Sequence, residues 1–368
     1  MTSPLRWTSV VSWLASGCAL VGAALGGASA VSAAPGQTLV VGGMQQNIID
    51  TIRPTVDKAF KELTGADIQW HAGQAPDNLA KLLASRGGAP PYDVVFLDSV
   101  EQTRAIQTRV IQKIDPKQIP GSDDLAPGAW VNPGYGPGFI LIRLGSCVNT
   151  QQYKANNVPL PSGIDGWFDP RLANRIALPG PGNFYWPVAM PAFADHYDVP
   201  YTNPQALMSR FGTVKALNLF TSSGDAQAMM SSGKAWLVPL TDGRCLNLKI
   251  GGQEVDFVPL NIRVKGKTYP WVRLVDTWDI PTGVSEEKAA LARQFIGVLE
   301  GPALLPLVYK FGYIPANKKV LAEAQKNPKV RELIPGDFDF DSTYSPDYSK
   351  FLPHLQSWID AWNRVFLK

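Results

Sequence analysis

The chain has 368 residues, of which 45% are hydrophobic and 18% are charged, and its formal net charge is +3. Because the charges nearly balance and form no block of one sign, the sequence gives no support for binding to nucleic acid or to a membrane surface. A chain of this length is more than one hydrophobic core normally serves, so two lobes are expected.

The first 34 residues predict an export signal. Arg6 supplies a positive start, residues 10–30 form an uncharged apolar run, and small residues follow up to Ala34. A run of about 20 apolar residues is also long enough to span a bilayer, so a retained helix is the alternative. Its many Gly, Ser and Ala residues favour cleavage near Ala33, which predicts a periplasmic protein. Cys18 loosely resembles a lipoprotein site, but it lacks the usual preceding Leu and lies in the middle of the run.

Two cysteines follow the signal, at Cys147 and Cys245. An even pair in an exported protein favours a disulfide, and two buried thiols are the alternative. The sequence alone does not show whether their Cα atoms come within bonding distance.

The first part of the mature chain alternates strands and helices. The order strand, helix, strand, helix, strand is predicted at residues 38–41, 47–63, 68–71, 77–84 and 92–97. We expect Gly65 to end the first helix and Asp77 to cap the second. The last strand is apolar on both faces, as in the centre of a parallel sheet. This order predicts a doubly wound α/β arrangement.

The remainder repeats this alternation. Residues 138–144 form an apolar strand that we expect to pass between the lobes. Further strands are predicted at residues 175–178, 235–240, 255–259 and 269–275, and helices at residues 204–219, 285–299 and 351–367. Ser285 is the expected N-cap of its helix. The last helix is expected to dock on the body of the protein, with binding to a partner as the alternative.

Four segments, taken in order, resemble one family. They are 38–43 with the helix ending at 63–65, 92–98, 232–236, and 279–281 with 311–317. In these segments the chain resembles the periplasmic solute-binding proteins of ABC importers, in the branch that includes spermidine/putrescine binders. Each segment alone is weakly specific, but together they run through nearly all of the mature chain.

The resemblance implies a two-lobed α/β fold, the type II periplasmic-binding-protein fold, hinged by crossover strands. Residues 35–143 and 270–368 would form lobe one and residues 144–269 lobe two, with crossovers near 140–147 and 261–276. The implied partners are a small-molecule ligand, an inner-membrane permease and its ATPase. We expect a monomer that binds no nucleic acid, needs no cofactor and is not an enzyme.

Ligand contacts are expected in loops after the strands, because open α/β sheets bind ligands beyond the carboxyl ends of their strands. Gly43, Met44 and Gln45 follow the first strand, where backbone amides and a helix N-terminus can reach a ligand. An ordinary tight turn is the alternative. After the buried strand, Ser99 is expected to cap and to contact ligand, and Asp98 to cap alone.

Lobe two and the second crossover supply the other candidates. Asn183 and Phe184 precede further aromatics. These aromatics are expected to line a solute pocket, and packing in the core is the alternative. The remaining candidates follow the later strands and are Thr241, Asp242, Arg244, Asp276 and Trp278. The resemblance places Asp276 where polyamine binders hold a ligand amine, and a hinge or capping role is the alternative.

The rest of the polyamine pattern is missing. Thr241 and Leu274 stand where the family has aromatics, and residues 181–184 lack the expected acidic pair. Arg244 and Arg273 bring positive charge instead, and arginine suits bidentate capture of a carboxylate. Arg143 is a weaker candidate. We therefore expect a small polar solute with an acidic group, zwitterionic if Asp276 holds an amine.

Two other functions stay open at this stage. A secreted hydrolase is one, although the sequence has no Gly-x-Ser-x-Gly motif and its three histidines, His71, His196 and His354, lack metal-ligand spacing. His196 is the best catalytic candidate, and a surface polar cluster explains it equally well. A sensor that presents ligand to a receptor would use the same fold.

Overall fold

The computed structural model of the protein describes residues 37–334 and 338–367, so the predicted export signal lies outside the described residues. The strands are β1 (Thr38–Gly42), β2 (Asp67–His71), β3 (Val94–Asp98), β4 (Gly138–Asn149), β5 (Ala177–Pro179), β6 (Asn218–Phe220), β7 (Leu237–Thr241), β8 (Val255–Val258), β9 (Ile262–Val264), β10 (Lys267–Tyr269), β11 (Trp271–Asp279), β12 (Ile314–Pro315) and β13 (Thr343–Tyr344).

Helices connect most of these strands. The α-helices are α1 (Gln46–Thr64), α2 (Ala75–Ala84), α3 (Ser99–Gln107), α4 (Thr150–Ala155), α5 (Tyr185–His196), α6 (Gln205–Phe211), α7 (Ser223–Ser231), α8 (Asp242–Ile250), α9 (Glu286–Leu299), α10 (Leu305–Phe311), α11 (Lys318–Ala324), α12 (Pro328–Leu333), α13 (Tyr348–Phe351) and α14 (Leu355–Phe366). Short 3-10 helices lie at Pro116–Gln118, Ser122–Asp124, Pro127–Ala129, Ile164–Phe168, Pro170–Leu172, Pro302–Leu304, Phe340–Ser342 and Leu352–His354.

Local signals place several helix ends correctly. Gly65 ends α1 in the left-handed conformation, with φ of 80°, which glycine adopts without steric cost. Ser285 caps α9 by accepting a hydrogen bond from the Lys288 amide. The predicted cap Asp77 is wrong, because α2 begins earlier, at Ala75, and Asp77 lies in its first turn.

The helix predicted over residues 204–219 is also wrong in its second half. Helix α6 ends at Phe211, with Gly212 as its C-cap. Residues Asn218–Phe220 instead form β6, which pairs in parallel with β5. The apolar spacing of this stretch suited a helix, but hydrogen bonding to a distant strand decided its conformation.

Strand β4 joins the two parts of the main sheet. Its first half pairs with β11 and β12, and its second half, from Leu144 to Asn149, pairs with β7 and β8. Strand β11 in turn pairs with β3 through Asp276–Asp279. Beyond β3 the sheet continues to β1 and β2. The predicted crossover strand at residues 138–144 is therefore confirmed, and it extends five residues further.

The C-terminal helix docks on the segment expected to form lobe two. Trp362 is fully buried, and its ring centroid lies 5.8 Å from that of Trp186 and 5.2 Å from that of Phe211. Trp358 is buried in the same hydrophobic cluster. Docking on the protein body is thus confirmed. The packing differs from the predicted division in one respect. The prediction groups residues 270–368 with lobe one, but α14 packs against residues of the predicted lobe two. The other lobe boundaries stay predictions.

A disulfide joins Cys147 on β4 to Cys245 on α8, with their Cα atoms 5.5 Å apart. This confirms the favoured expectation for the two cysteines. The bond lies in a buried cluster beneath β7 and α8, where both residues are almost completely shielded from solvent.

Across the described ranges, no single helix has both the length and the apolar character to cross a membrane. Helix α9 and the segment Pro302–Phe311 reach that length and composition only as a pair, and they are bent by 65° relative to each other. Apolar residues of both helices, including Phe295 and Leu307, are buried in the core.

We predict that Trp362→Ala lowers the free energy of unfolding by about 3–5 kcal/mol, because it empties a fully buried site between α5, α6 and α14. Urea denaturation followed by circular dichroism measures the change. The control is Leu367→Ala, since Leu367 is 66% exposed and should change the free energy by less than about 0.5 kcal/mol. Equal effects of the two substitutions would contradict docking of α14.

Candidate ligand-binding site

A cavity of about 710 Å³ opens where the carboxyl ends of strands from both parts of the sheet meet. Loops that follow β1, β2 and β3 line it, together with loops that follow β5, β6 and β7. Strands β4 and β11 contribute Ile142, Leu274 and Asp276. This is where open α/β sheets place their ligands, and the volume lies within the range of ligand pockets.

Of the three candidates after β1, Met44 and Gln45 line the cavity and Gly43 does not. Gly43 is buried beneath it: a side chain there would meet Ile49 and Trp70 at 3.1 Å. Its carbonyl oxygen accepts a hydrogen bond from Asn78 Nδ2 at 3.0 Å. Gly43 therefore packs the turn and offers no surface to a ligand.

Asp98 caps α3 as predicted and also lines the cavity, whereas Ser99 does neither of the two things predicted for it. Asp98 Oδ1 accepts hydrogen bonds from the amides of Val100 and Glu101, both at 2.9 Å, and the residue also lines the cavity. Ser99 is fully buried and is not part of the lining. Successive residues of a helix point about 100° apart, so the first residue of α3 turns into the core when its cap faces the cavity.

The loop after β5 brings Asn183 and Phe184 to the cavity. Asn183 Nδ2 donates to the carbonyl oxygen of Thr221 at 3.1 Å, and its Oδ1 accepts from the Tyr185 amide at 3.0 Å. This side chain therefore ties together two loops of the lining. Phe184 is 38% exposed, whereas the aromatics that follow it are buried in the core.

Helix α8 begins at the cavity. Thr241 and Arg244 line it, but Asp242 does not. Asp242 is buried in an ion pair, with Arg143 Nε 2.9 Å from its Oδ2. That ion pair and the disulfide at Cys245, three residues along, attach the first turn of α8 to β4. Within the part of the chain that the structure describes, the Arg244 guanidinium forms no ion pair and no hydrogen bond.

Asp276 lies on β11 directly opposite Asp98 of β3. Asp276 is 7% exposed and lines the cavity. Its carboxyl has no hydrogen-bond or ion-pair partner among the described residues. Burial raises the pKa of Asp276 well above its usual range, and the Asp98 carboxylate raises it further. Burial raises the pKa of the Tyr313 phenol. The nearby Asp276 carboxyl raises this pKa further, and the Arg244 guanidinium lowers it.

Trp278 lies two residues further along β11 and does not reach the cavity. Its side chain is fully buried, with its ring centroid 5.8 Å from Phe96, 5.6 Å from Phe139 and 5.1 Å from Phe295. Trp278 is thus a core residue, because at this point α9 covers the sheet.

The other arginine candidates also point away from the cavity. Arg273 Nη1 donates to the carbonyl oxygens of Phe340 and Thr343 at 3.3 and 3.4 Å. Alternate residues of a strand face opposite sides of the sheet. Since Leu274 and Asp276 face the cavity, Arg273 faces the opposite side.

Several lining residues were not predicted. Phe96 lies in the middle of the buried strand β3, Phe311 and Tyr313 flank the turn before β12, and α3 adds Arg104. Arg104 Nη1 lies 3.0 Å from a carboxylate oxygen of Glu101. Burial, with a contribution from Asp98, raises the pKa of Glu101 to about 7. In the sequence, segment 311–317 contributes to the family resemblance. Its aromatic residues Phe311 and Tyr313 are a signal from which these ligand-cavity contacts can be predicted.

The residues of the hydrolase alternative do not gather at the cavity. No histidine of the described ranges lines it, and His196 Nδ1 accepts a hydrogen bond from the Arg263 amide at 2.8 Å. Across residues 37–334 and 338–367, no group of three or more His, Cys, Asp or Glu side chains could hold a metal ion.

Fold and site together define a two-lobed binding protein with a solute cavity between its strand ends. The model of the bacterial extracellular solute-binding protein family matches residues 55–332, so the chain belongs to that family. Its members bind small solutes for ABC transporters, deliver them to a membrane permease, and work in the periplasm or outside the cell. No curated protein matches the sequence.

Solved structures share the fold at low sequence identity. An ABC transporter protein from Clostridium perfringens ATCC 13124 has a TM-score of 0.73 and 20% identity, over 89% of this chain and 99% of that one. An extracellular solute-binding protein from Bordetella parapertussis has a TM-score of 0.73 and 18% identity, over 90% and 99%. A spermidine/putrescine ABC transporter protein from Listeria monocytogenes has a TM-score of 0.62 and 15% identity, over 90% and 99%. These matches confirm the predicted fold class, and the family model confirms the predicted family.

We predict that Asp276→Asn stabilises the ligand-free protein at neutral pH. The folded-state pKa of Asp276 is raised, so the folded protein keeps a proton that the unfolded chain has already released. Stability is therefore lost as the pH rises from the unfolded value, about 3.9, toward the raised folded value, by about 1.4 kcal/mol per pH unit. The asparagine removes this loss.

Thermal unfolding between pH 5 and pH 8 measures the effect. The advantage of Asp276→Asn over the wild type should grow as the pH rises through this window. Asp123→Asn is the control, because Asp123 is exposed and its substitution should leave the pH profile unchanged. A constant or shrinking difference for Asp276→Asn would count against the raised pKa.

Proposed function

We propose that this protein is the periplasmic solute-binding component of an ABC importer and that it captures a small solute with an acidic group and an amine. Residues 1–34 would be removed on export. The mature chain would act as a monomer and pass its ligand to the inner-membrane permease, which its ATPase drives. In this role the protein binds and releases its ligand without catalysis.

The observation that carries the proposal is a carboxyl and a guanidinium that lack partners among the described residues and line one cavity. The carboxyl of Asp276 is nine-tenths buried and has no hydrogen-bond or ion-pair partner among the described residues, and the guanidinium of Arg244, which is only partly buried, also has none there. A buried polar group without a partner costs stability. A ligand amine at Asp276 would remove this cost, and a ligand carboxylate would pair with Arg244.

The start of α8 adds to the attraction for an anion. Thr241 makes no side-chain hydrogen bond as its N-cap, and Asp242 Oδ1 accepts one from the Gly243 amide at 2.8 Å, so the positive end of the helix is only partly capped. Helix N-termini favour negative charge, and arginine binds carboxylates bidentately. Arg244 and the α8 N-terminus thus act in the same direction.

A polyamine fits these charges less well. Of the other carboxylates in the lining, Asp98 already accepts two amides, Glu101 is paired with Arg104, and Asp77 is exposed to solvent. Arg244 would repel the second cation of a dication. The aromatic side chains of Phe96, Phe311 and Tyr313 suit the body of the ligand instead.

We predict that a screen of purified mature protein identifies ligands that carry a carboxylate and an amine. Thermal shift followed by calorimetry would compare amino-acid-like compounds, organic acids and polyamines. Arg244→Gln should weaken the best ligand about 10- to 100-fold, since it removes a charged hydrogen bond worth about 1.5–3 kcal/mol. Arg86→Gln is the matched control, because Arg86 is exposed and outside the cavity. Tight polyamine binding with no response to acids would overturn the proposal.

We also predict that binding of a cationic amine releases a proton. The raised pKa of Asp276 keeps its carboxyl protonated in the empty cavity at pH values below that pKa. The amine requires the carboxylate, so the measured binding enthalpy should vary with the ionisation enthalpy of the buffer, and affinity should fall as the pH is lowered. Asp276→Asn should remove both dependences. A buffer-independent enthalpy at every pH between pH 5 and pH 8 would show that Asp276 does not hold the amine.

A further inference from the structure

The C-terminal helix α14 carries two apolar side chains that pack only partly against the core and also line the cavity. Trp358 and Trp362 fix it against α5 and α6. Leu355 and Ile359, four residues apart and therefore on one face of the helix, are only half-buried and line the cavity. Both side chains also pack against the hydrophobic cluster that contains Trp358 and Trp362.

Neighbouring side chains extend this surface. Phe184, 38% exposed, and Pro187 at the start of α5 line the same cavity. We call Phe184, Pro187, Leu355 and Ile359 the apolar patch. Large apolar side chains grouped in a ligand cavity and left open to water gain stability when an apolar ligand covers them.

The apolar patch is continuous with the charged part of the site. Across the cavity, Val100 and Arg104 of α3 belong to the same lining, and α3 begins at the cap Asp98, which faces Asp276. Helix α3 also meets the C-terminal segment directly, because Gln107 Nε2 donates to the Ser349 carbonyl oxygen at 3.3 Å. A ligand bound between Arg244 and Asp276 can therefore extend along α3 toward α14.

The size of the cavity agrees with an extended ligand. Its 710 Å³ corresponds to about two dozen water molecules at about 30 Å³ each. A carboxylate and an amine alone would leave much of this space to water and would not touch the apolar patch.

We propose that the ligand is amphipathic: its acidic and amine groups bind at Arg244 and Asp276, and an apolar chain or ring of several carbon atoms covers the apolar patch. This inference rests on the proposed function, which it deepens by naming the ligand class. Leu355 and Ile359 are then specificity-determining residues, because they contact apolar carbon atoms that a shorter zwitterion lacks.

A homologous series of α-amino acids tests the inference: glycine, alanine, 2-aminobutyrate, norvaline, norleucine and 2-aminooctanoate. Calorimetry with the mature protein should show affinity rising about fourfold for each added methylene until the patch is covered. The heat-capacity change of binding should become more negative along the series, as burial of apolar surface requires.

Substitutions separate the apolar patch from the charged centre. Leu355→Ser and Ile359→Ser should each weaken norleucine and 2-aminooctanoate about tenfold and leave alanine unchanged. The control Leu367→Ser changes an exposed leucine at the end of the same segment and should alter neither. Circular dichroism and thermal unfolding establish that each variant is folded, and the unchanged affinity for alanine serves as a second check.

The outcomes distinguish this inference from the proposed function. If short amino acids bind and lengthening them brings no gain, the apolar subsite is refuted and the proposed function stands. If no compound with a carboxylate and an amine binds, both are refuted. If the serine variants keep full affinity for long ligands but lose stimulation of a reconstituted permease, the patch contacts the transporter and the inference is wrong.

Discussion

The antiparallel pairing of β4 with β11 is the constraint on which the site depends. Every residue of β4, from Gly138 to Asn149, is buried, and its two halves pair with different sets of strands. Because both long strands also carry lining residues, Ile142 on one and Asp276 on the other, the floor of the cavity is the sheet that joins the two parts of the protein. Ligand contacts and the joining strands are therefore physically inseparable.

Two buried aspartates on β11 differ in their hydrogen bonding: the one away from the cavity has partners, and the one that lines the cavity has none among the described residues. Asp279 is fully buried, but it accepts hydrogen bonds from Gln102, the Gly136 amide and Thr277, and burial raises its pKa only to about 6. Asp276 has no such partners among the described residues. A chain selected for stability alone would have paired or replaced it, so its isolation is the kind of local cost that functional sites carry.

Helix α8 shows the same division within one element. Asp242 and Cys245 are bonded to β4 by an ion pair and a disulfide, whereas Arg244 between them faces the cavity without a partner among the described residues. The bonded residues fix the position of the helix, and this lets an unpaired guanidinium be presented at a defined place. Binding sites built on rigid elements hold their geometry better than those on loops.

Sequence reasoning located the candidate loops but not always the side chains within them. The strand-end rule led to Met44, Gln45, Asn183, Thr241 and Arg244, all of which line the cavity. It failed at Ser99, Gly43, Asp242 and Trp278, which are turned into the core or paired with other residues. Position in a loop follows from the order of elements, but the direction of a side chain depends on what covers the sheet at that point.

What the sequence determined by itself is local or compositional: the alternation of strands and helices, helix ends such as Gly65 and Ser285, the favoured disulfide, and the family resemblance. Apolar spacing and capping residues act within a few positions of themselves, so they can be recognised without coordinates. Only the tertiary structure decided that residues 218–220 form a strand, that α14 docks beside the cavity, and that Asp276 is left without a partner. Each of these depends on contacts between residues far apart in sequence, which no local pattern records.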